Sequence, residues 1–408
     1  MTKQRYFRLI LILGALTALG PFSIDMYLPG FPAIAKSLHT TTETVALSLS
    51  SFFIGISAGQ LLYGPLLDRF GRKRPLYFGL ALYIIASIGC YFAGSIEMLI
   101  GLRFVQAIGS CAAAVASMTM VRDLFPVKDS AKVFALLILV LGASPLIAPT
   151  VGGYVSASLG WHVIFLILTV IAVLISLAVI FLLPESYPPD PSYSLAPGPI
   201  INSFLGVLKT PQFYTYSFCG ALAFSGLFAY IAASPIVFME VFKVSTKTYG
   251  WIFAMLSIGF IGSSQVNSML VKKYKSEQIV IAVMIAMACI AVVFLIGALQ
   301  GWLGLVGTII MIFGILCCVG LLSPNTSALA LAPFEKNAGV ASSLLGASQM
   351  AIGSAVSVGI SLFKAKSAVP MASVIIVSSA MALCLLLIGR RFIKTKVEAK
   401  QGGGAAAH

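Results

Sequence analysis

Uncharged apolar runs of about 20 residues, the length a helix needs to cross a hydrocarbon core about 30 Å thick, recur along almost the whole chain. Twelve can be counted, at 6–28, 44–63, 75–93, 98–121, 132–154, 161–183, 213–235, 249–270, 278–299, 303–325, 339–363 and 369–389. Their apolar character is continuous rather than alternating, which selects helices over a closed barrel, the other structure that satisfies every backbone polar group in lipid. The expected fold class is an all-α membrane protein of twelve transmembrane helices. One long interruption, 184–212, carries Pro184, Pro188, Pro189, Pro191, Pro197 and Pro199 and reads as a linker, not a domain. It separates an expected N-terminal six-helix bundle at 1–183 from a C-terminal one at 213–400, and 401–408 reads as a linker or tag remnant.

An even number of spans per half gives both halves the same orientation, so a repeat would be the parallel kind, related by an axis along the membrane normal. Leu141-Gly142-Ala143-Ser144 recurs as Leu345-Gly346-Ala347-Ser348, and Gln60 in the second span has Gln265 in the eighth, at separations of 204 and 205. The first span follows Lys3, Arg5 and Arg8 as a signal peptide would. It is too long for one, and eleven spans follow it, so it counts as a helix.

Composition agrees: 59% of the 408 residues are hydrophobic and 9% charged, which excludes a soluble chain. The formal charge of +14 gains meaning from its distribution. With the N-terminus inside, only Lys36, Lys243, Lys247, Lys364 and Lys366 fall in outer loops, and Arg103 lies within a span. The remaining basic residues all fall on the inner side, so both termini are expected in the cytoplasm. Trp161, Trp251 and Trp302 each open an even-numbered span, at the expected outer interface. A basic chain can signal nucleic-acid binding, but this charge is spread over short loops with no soluble domain to form a face. All seven cysteines fall inside spans, and His39, His162 and His408 are scattered, so neither a metal site nor a His-based catalytic cluster is expected.

Eleven of the twelve acidic residues fall in loops or at span ends; Asp25 does not. It lies between Pro21 and Pro29, which together with Gly20 loosen the backbone, and an intramembrane carboxylate is costly enough to be a functional candidate by default. The competing reading is a structural polar contact near the outer boundary. Arg103 lies roughly 9 Å below the outer end of its span and Asp25 roughly 25 Å above Arg8, so both fall in the outer half of the core. An arginine favours an ionised carboxylate and desolvation a neutral one, so a pair or near-pair of this kind can couple protonation to conformation. The competing reading for Arg103 is packing or snorkelling.

The string Gly64-Pro65-Leu66-Leu67-Asp68-Arg69-Phe70-Gly71-Arg72-Lys73-Arg74 is the most specific in the chain: Asp68 ends a helix, where the dipole disfavours an anion, and so needs a partner. It resembles the loop 2–3 signature of the major facilitator superfamily. RFVQAIGSCAAA (Arg103, Gln106, Gly109) is similar to that superfamily's helix 4 proton-relay motif, and GASPLIAPTVGG (Gly142, Pro145, Pro149, Gly152, Gly153) to its antiporter motif. SIDMYLPGFP, GWHVIF, LPES and AGVASSLLGASQ extend the likeness along the chain, to the drug:proton antiporters of the bicyclomycin/chloramphenicol-resistance (Bcr/CflA) group. His162 departs from that group's usual arginine after Trp161, and the second-half copy of the loop signature, Lys272-Lys273-Tyr274-Lys275, is degenerate.

The resemblance implies two six-helix parallel-repeat bundles and proton-driven export of drugs across a bacterial inner membrane. It implies a proton-relay role for Arg103 and a conformational latch of Gly64, Asp68, Arg69, Gly71 and Arg72 against helix 11. It also implies that Pro145 and Pro149 shape an antiport helix. Protons are then the coupling ion, with no cofactor, and a monomer embedded in lipid is expected. For the substrate cavity the candidates are Tyr27, Gln106, Phe224, Phe228, Tyr230, Ser234, Asn325 and Gln349, an aromatic set with few charges that suits lipophilic drug-like molecules. Each of these can also be a packing or lipid-facing residue. A proton-coupled carrier of one metabolite, an amino acid or a sugar, is the alternative function. A third reading, a non-transporting membrane receptor or enzyme, finds no catalytic cluster and no soluble domain in the sequence to support it.

Overall fold

The computed structural model describes residues 3–190, 195–334, 338–363, 367–393 and Val397. Lys336, Lys364, Lys366, Lys394, Lys396, Lys400 and the 401–408 segment lie outside the described residues. Among the described residues there is no strand, and twelve helices are long and apolar enough to cross a membrane. In the first half these are α1 (Lys3–Asp25), α3 (Thr42–Phe70), α4 (Lys73–Tyr91), α5 (Ile96–Leu124), α6 (Val127–Leu159) and α7 (His162–Leu182), with a short α2 (Phe31–Ser37) after α1. After α8 (Pro197–Leu208) the second half has α9 (Pro211–Ser234), α10 (Thr246–Leu270), α11 (Ser276–Gln300), α12 (Leu305–Leu331), α13 (Ala338–Leu362) and α14 (Val369–Gly389). The chain is an all-α membrane protein of two six-helix halves in parallel repeat. With twelve spans alternating in direction, the start of α1 at Lys3 and the end of α14 at Gly389 fall on one side of the bundle, hereafter the terminal side.

Local chemistry explains the ends of these helices. Thr41 and Ser95 cap α3 and α5, their hydroxyls accepting from the Thr44 and Met98 amides, and Glu43 and Glu97 in the first turns suit the positive end of the dipole. Pro197 and Pro211 occupy first turns, where a missing N–H costs nothing. The segment read as a linker contains a helix, α8: its Pro197 and Pro199 fall in the first turn, and Ile200-Ile201 and Phe204-Leu205 follow as helix-compatible apolar pairs. α1 stops at Asp25, three residues before the end of the expected span, and the chain turns through Met26 and Tyr27 into a 3-10 turn at Leu28–Gly30. α9 continues into a π-helix at Pro235–Val241, an irregular backbone that membrane proteins tolerate where it is enclosed by protein. Here it is, since Pro235–Met239 are all buried.

One apolar core fills the terminal side of the first half around Leu13, Tyr63, Leu76, Met120 and Val179. A second runs through both halves and includes Leu49, Phe53, Phe228 and Phe253. Large apolar side chains such as Phe78, Phe181, Ile296 and Val306 remain exposed, as a lipid-facing surface requires.

The halves meet along α3 with α13 and α6 with α10. Ser50 donates to Ser357 at 2.6 Å, Ser354 to the Ser50 carbonyl at 3.1 Å, and Ser57 to the Ala347 carbonyl at 2.8 Å. On α6, a β-carbon at Gly153 would stand 2.8 Å from the Thr246 carbonyl oxygen, and one at Gly250 would stand 2.9 Å from that of Pro149. Only glycine permits this approach, which brings two helix backbones together as small residues do in membranes. At the side opposite the termini the seam is sealed further by contact of α2 with the π-helix, and by the Thr42 hydroxyl donating to the Glu240 carboxylate.

Candidate functional site

Asp25 is the last residue of α1 and is 4% exposed. It therefore sits at the negative end of a helix dipole, away from water, in a position unfavourable to an anion. Arg103, on α5, is fully buried. Its guanidinium does not pair with Asp25: it donates to the Gln106 side-chain oxygen at 2.5 Å and to the backbone carbonyl of Ser23 at 3.0 Å. That carbonyl is one of the last four of α1, which have no partner within the helix, so Arg103 caps α1 beside the carboxylate instead of neutralising it. Phe52 and Tyr27 cover the guanidinium with their rings 4.2 and 4.6 Å away. Its Nε has no hydrogen-bond partner.

From Arg103 a continuous polar chain runs through the first half. Gln106 donates to Ser87 at 2.7 Å, Ser87 to the Tyr83 carbonyl at 2.7 Å, and the Tyr83 and Ser23 hydroxyls share a bond of 2.6 Å. Tyr27 is bonded through its hydroxyl to Ser48 at 2.8 Å. Such a network positions its members only when it is nearly satisfied, and this one is, apart from the Arg103 Nε.

Asp25 itself makes no ion pair or hydrogen bond among the described residues. The buried core that takes in Met26, the next residue, also holds two phenols of the other half, Tyr230 on α9 and Tyr249 on α10. Tyr249 shares a hydrogen bond with Ser234 at 2.8 Å, and the Tyr230 hydroxyl has no partner. A lone carboxyl thus ends α1, two residues after the carbonyl that Arg103 holds.

The loop residues assemble on the terminal side, all within the first half. Arg72 donates to Asp68 at 2.7 Å and to Asp123 at 2.9 Å, and its guanidinium lies 4.5 Å from the Tyr187 ring centre. Burial works against its charge, but the bonds to Asp123 and Asp68 outweigh this and hold the guanidinium above its usual range. Glu185 accepts from the backbone amides of Arg72 and Lys73 at 2.9 and 3.2 Å. Gly71 has φ +80°, and a β-carbon there would also press on the Tyr187 carbonyl. Gly64 and Arg69 lie within α3, and a β-carbon at Gly64 would stand 3.6 Å from the Ser343 hydroxyl of α13. Sequence reasoning missed Asp123 as a partner of Arg72; its signal was an acid on the last turn of α5, next to Arg122.

The α6 glycines divide their work. Gly152 packs inside its own half, where a β-carbon would collide with the carbonyl oxygen of Met26, the residue after Asp25; Gly153 faces the other half. Gly142 lies against Ile261 of α10, and Pro145 and Pro149 are inside the helix.

Of the proposed cavity residues, Tyr27, Gln106, Phe228, Tyr230, Ser234 and Asn325 are buried, while Phe224 and Gln349 are half-buried. Phe228 packs on Phe53 across the seam with ring centres 4.7 Å apart, and Phe224 packs on Phe228. Asn325 lies apart from them, donating to Asn267 of α10 at 2.6 Å within the second half. A separate cavity on the terminal side, lined by Pro211, Gln212, Pro333, Phe392 and Val397, contains none of these residues. No group of three or more metal-ligating side chains gathers among the described residues.

Comparison with known proteins adds to this geometry. The family model described as Major Facilitator Superfamily matches residues 13–359. A bicyclomycin resistance protein homolog of Haemophilus influenzae is 34% identical over 91% of this chain and 93% of its own. A chloramphenicol resistance protein of Pseudomonas aeruginosa is 30% identical over 73% of this chain and 71% of its own. A crystal structure of a peptide transporter in complex with sulfate superimposes with a TM-score of 0.77 at 15% identity, covering 94% of each chain, a likeness of fold.

Proposed function

The chain belongs to the Major Facilitator Superfamily, and from that premise we propose that it is a proton-coupled antiporter exporting small lipophilic drugs across a bacterial inner membrane by alternating access. The observation that carries the reading is Asp25, a buried carboxyl at the end of α1 with no cation paired to it. Desolvation favours a neutral carboxyl and water or a nearby cation an ionised one, so a carboxyl that the moving halves alternately bury and hydrate changes its proton affinity with conformation. Arg103 serves this site by fixing the end of α1 through the Ser23 carbonyl.

The drug class is supported by two relatives named for resistance to bicyclomycin and to chloramphenicol, and by the aromatic, uncharged character of Phe224, Phe228, Tyr230 and Phe53. With the termini in the cytoplasm, the seam sealed at Thr42–Glu240 and Gly153–Thr246 is the periplasmic gate. The Asp68–Arg72–Asp123 cluster is then the cytoplasmic latch, and its half-exposed Asp68 is available to α13 when that side closes.

Asp25→Asn imitates the protonated form permanently. In proteoliposomes with an imposed pH step it should abolish uphill accumulation of chloramphenicol while downhill equilibration persists. If the variant still builds a gradient, the proton is carried elsewhere. A growth-inhibition panel in an efflux-deleted bacterium separates drug export from the single-metabolite carrier.

A further inference from the structure

α8 is too short to cross a membrane, since its 12 residues rise only about 18 Å. It is nevertheless apolar over most of its length. Three stripes divide its surface at helical spacing. Ile200, Phe204 and Val207 turn inward: Val207 is buried in the apolar core and the other two are half-buried, where α8 packs on α13 and α9. Asn202, Gly206 and Lys209 form an exposed polar stripe, with Ser203 beside it. Between the two lie Ile201 and Leu205, 53% and 45% exposed, and the half-buried Leu208 three residues on.

A surface helix in water needs one apolar stripe, turned to its own protein. α8 has a second, adjacent to the first, and its position in the chain says what covers it. Only Lys209 and Thr210 separate Leu208 from Pro211, the first residue of a span, so α8 ends no more than about 11 Å from the terminal end of that span. Two exposed side chains and a half-buried third offer far less area than a stable protein interface requires. Lys209, exposed where the polar stripe meets the apolar one, suits anionic headgroups.

We propose that α8 lies in the membrane interface on the terminal side, with Ile201, Leu205 and Leu208 seated among lipid acyl chains, Lys209 at the headgroups, and Asn202, Ser203 and Gly206 turned to water. α8 packs on α13, which forms the seam with α3, so lipid ties the second half to the membrane surface beside that seam. The inference is independent of proton coupling and drug export and needs only that the chain spans a membrane.

The test places spin labels at Ile201→Cys, Leu205→Cys, Asn202→Cys and Ser203→Cys, one at a time, in the full-length chain with the accessible Cys289, Cys317 and Cys384 replaced by Ser. In lipid vesicles each label reports its contact with oxygen, which concentrates among acyl chains, and with a nickel chelate, which stays in water. Phe181→Cys, at a side chain 76% exposed on the span α7, sets the lipid value. All five side chains are exposed, so labelling leaves the packed stripe of α8 intact. The oxygen-to-nickel ratio at 201 and 205 should approach that at 181 and exceed that at 202 and 203 several-fold. Equal ratios at the four α8 positions would put the whole helix in water. Low contact with both reagents at 201 and 205 would mean that a second copy or another segment of the chain covers them. Either result would overturn the proposal.

Discussion

On α5 the first half buries Arg103, which anchors a chain of four further polar side chains; on α12, the corresponding helix of the second half, stands Thr308, fully buried with no partner for its hydroxyl. The same contrast holds between α1, which ends in the buried Asp25, and α9, which carries no charged residue, and on the terminal side between the Asp68–Arg72–Asp123 cluster and Lys272–Lys275. The two halves share helix count and orientation but not chemistry. One carries the buried charges and the network that holds them, and the other offers it neutral hydroxyls, aromatic rings and glycines. A repeat fold can therefore confine the costly burial of charge to one half and leave the other to supply a surface that closes on it.

The largest expected effect falls on the charged half. Arg103→Lys keeps the charge but loses the planar fork that reaches Gln106 and the Ser23 carbonyl together, so uphill transport in proteoliposomes should fall by at least about tenfold. Retention of wild-type transport would show that the guanidinium geometry has no role. Next is the seam, where the halves contribute jointly. Gly153→Val would drive side-chain atoms into the Thr246 backbone, so spin-label distances across the far gate should lengthen and transport drop several-fold. An unchanged distance distribution would remove Gly153 from the gate.

Smaller effects separate the two loops. Arg72→Gln should slow transport several-fold and leave drug affinity within about threefold, because the cluster is remote from the buried carboxyl and acts on the conformational equilibrium. Lys273→Gln, in the degenerate copy, should change neither; equal losses in both would show the loops to be equivalent. Smaller still, Thr308→Val replaces an unpartnered buried hydroxyl by an apolar group of the same shape and should be neutral or stabilising by under about 1 kcal/mol in a thermal unfolding assay. A clear loss of stability would mean that this hydroxyl has a role after all.

What the sequence determined by itself was the number and alternating direction of the spans, because a hydrocarbon core imposes its length requirement on each segment separately. It also singled out Asp25 and Arg103, since a charge in such a segment is conspicuous wherever it points. It did not reveal that Arg103 turns to the Ser23 carbonyl, that Arg72 reaches Asp123, or that Asn325 belongs to a pair with Asn267 away from the seam. Those facts depend on how each helix is rotated about its own axis. In helices apolar on nearly every face no local pattern sets that rotation, and lipid is as apolar as the neighbouring helix. Rotation is decided by contacts between residues far apart in the chain, such as Gly152 against Met26 and Gly153 against Thr246, and only the packed tertiary structure contains them.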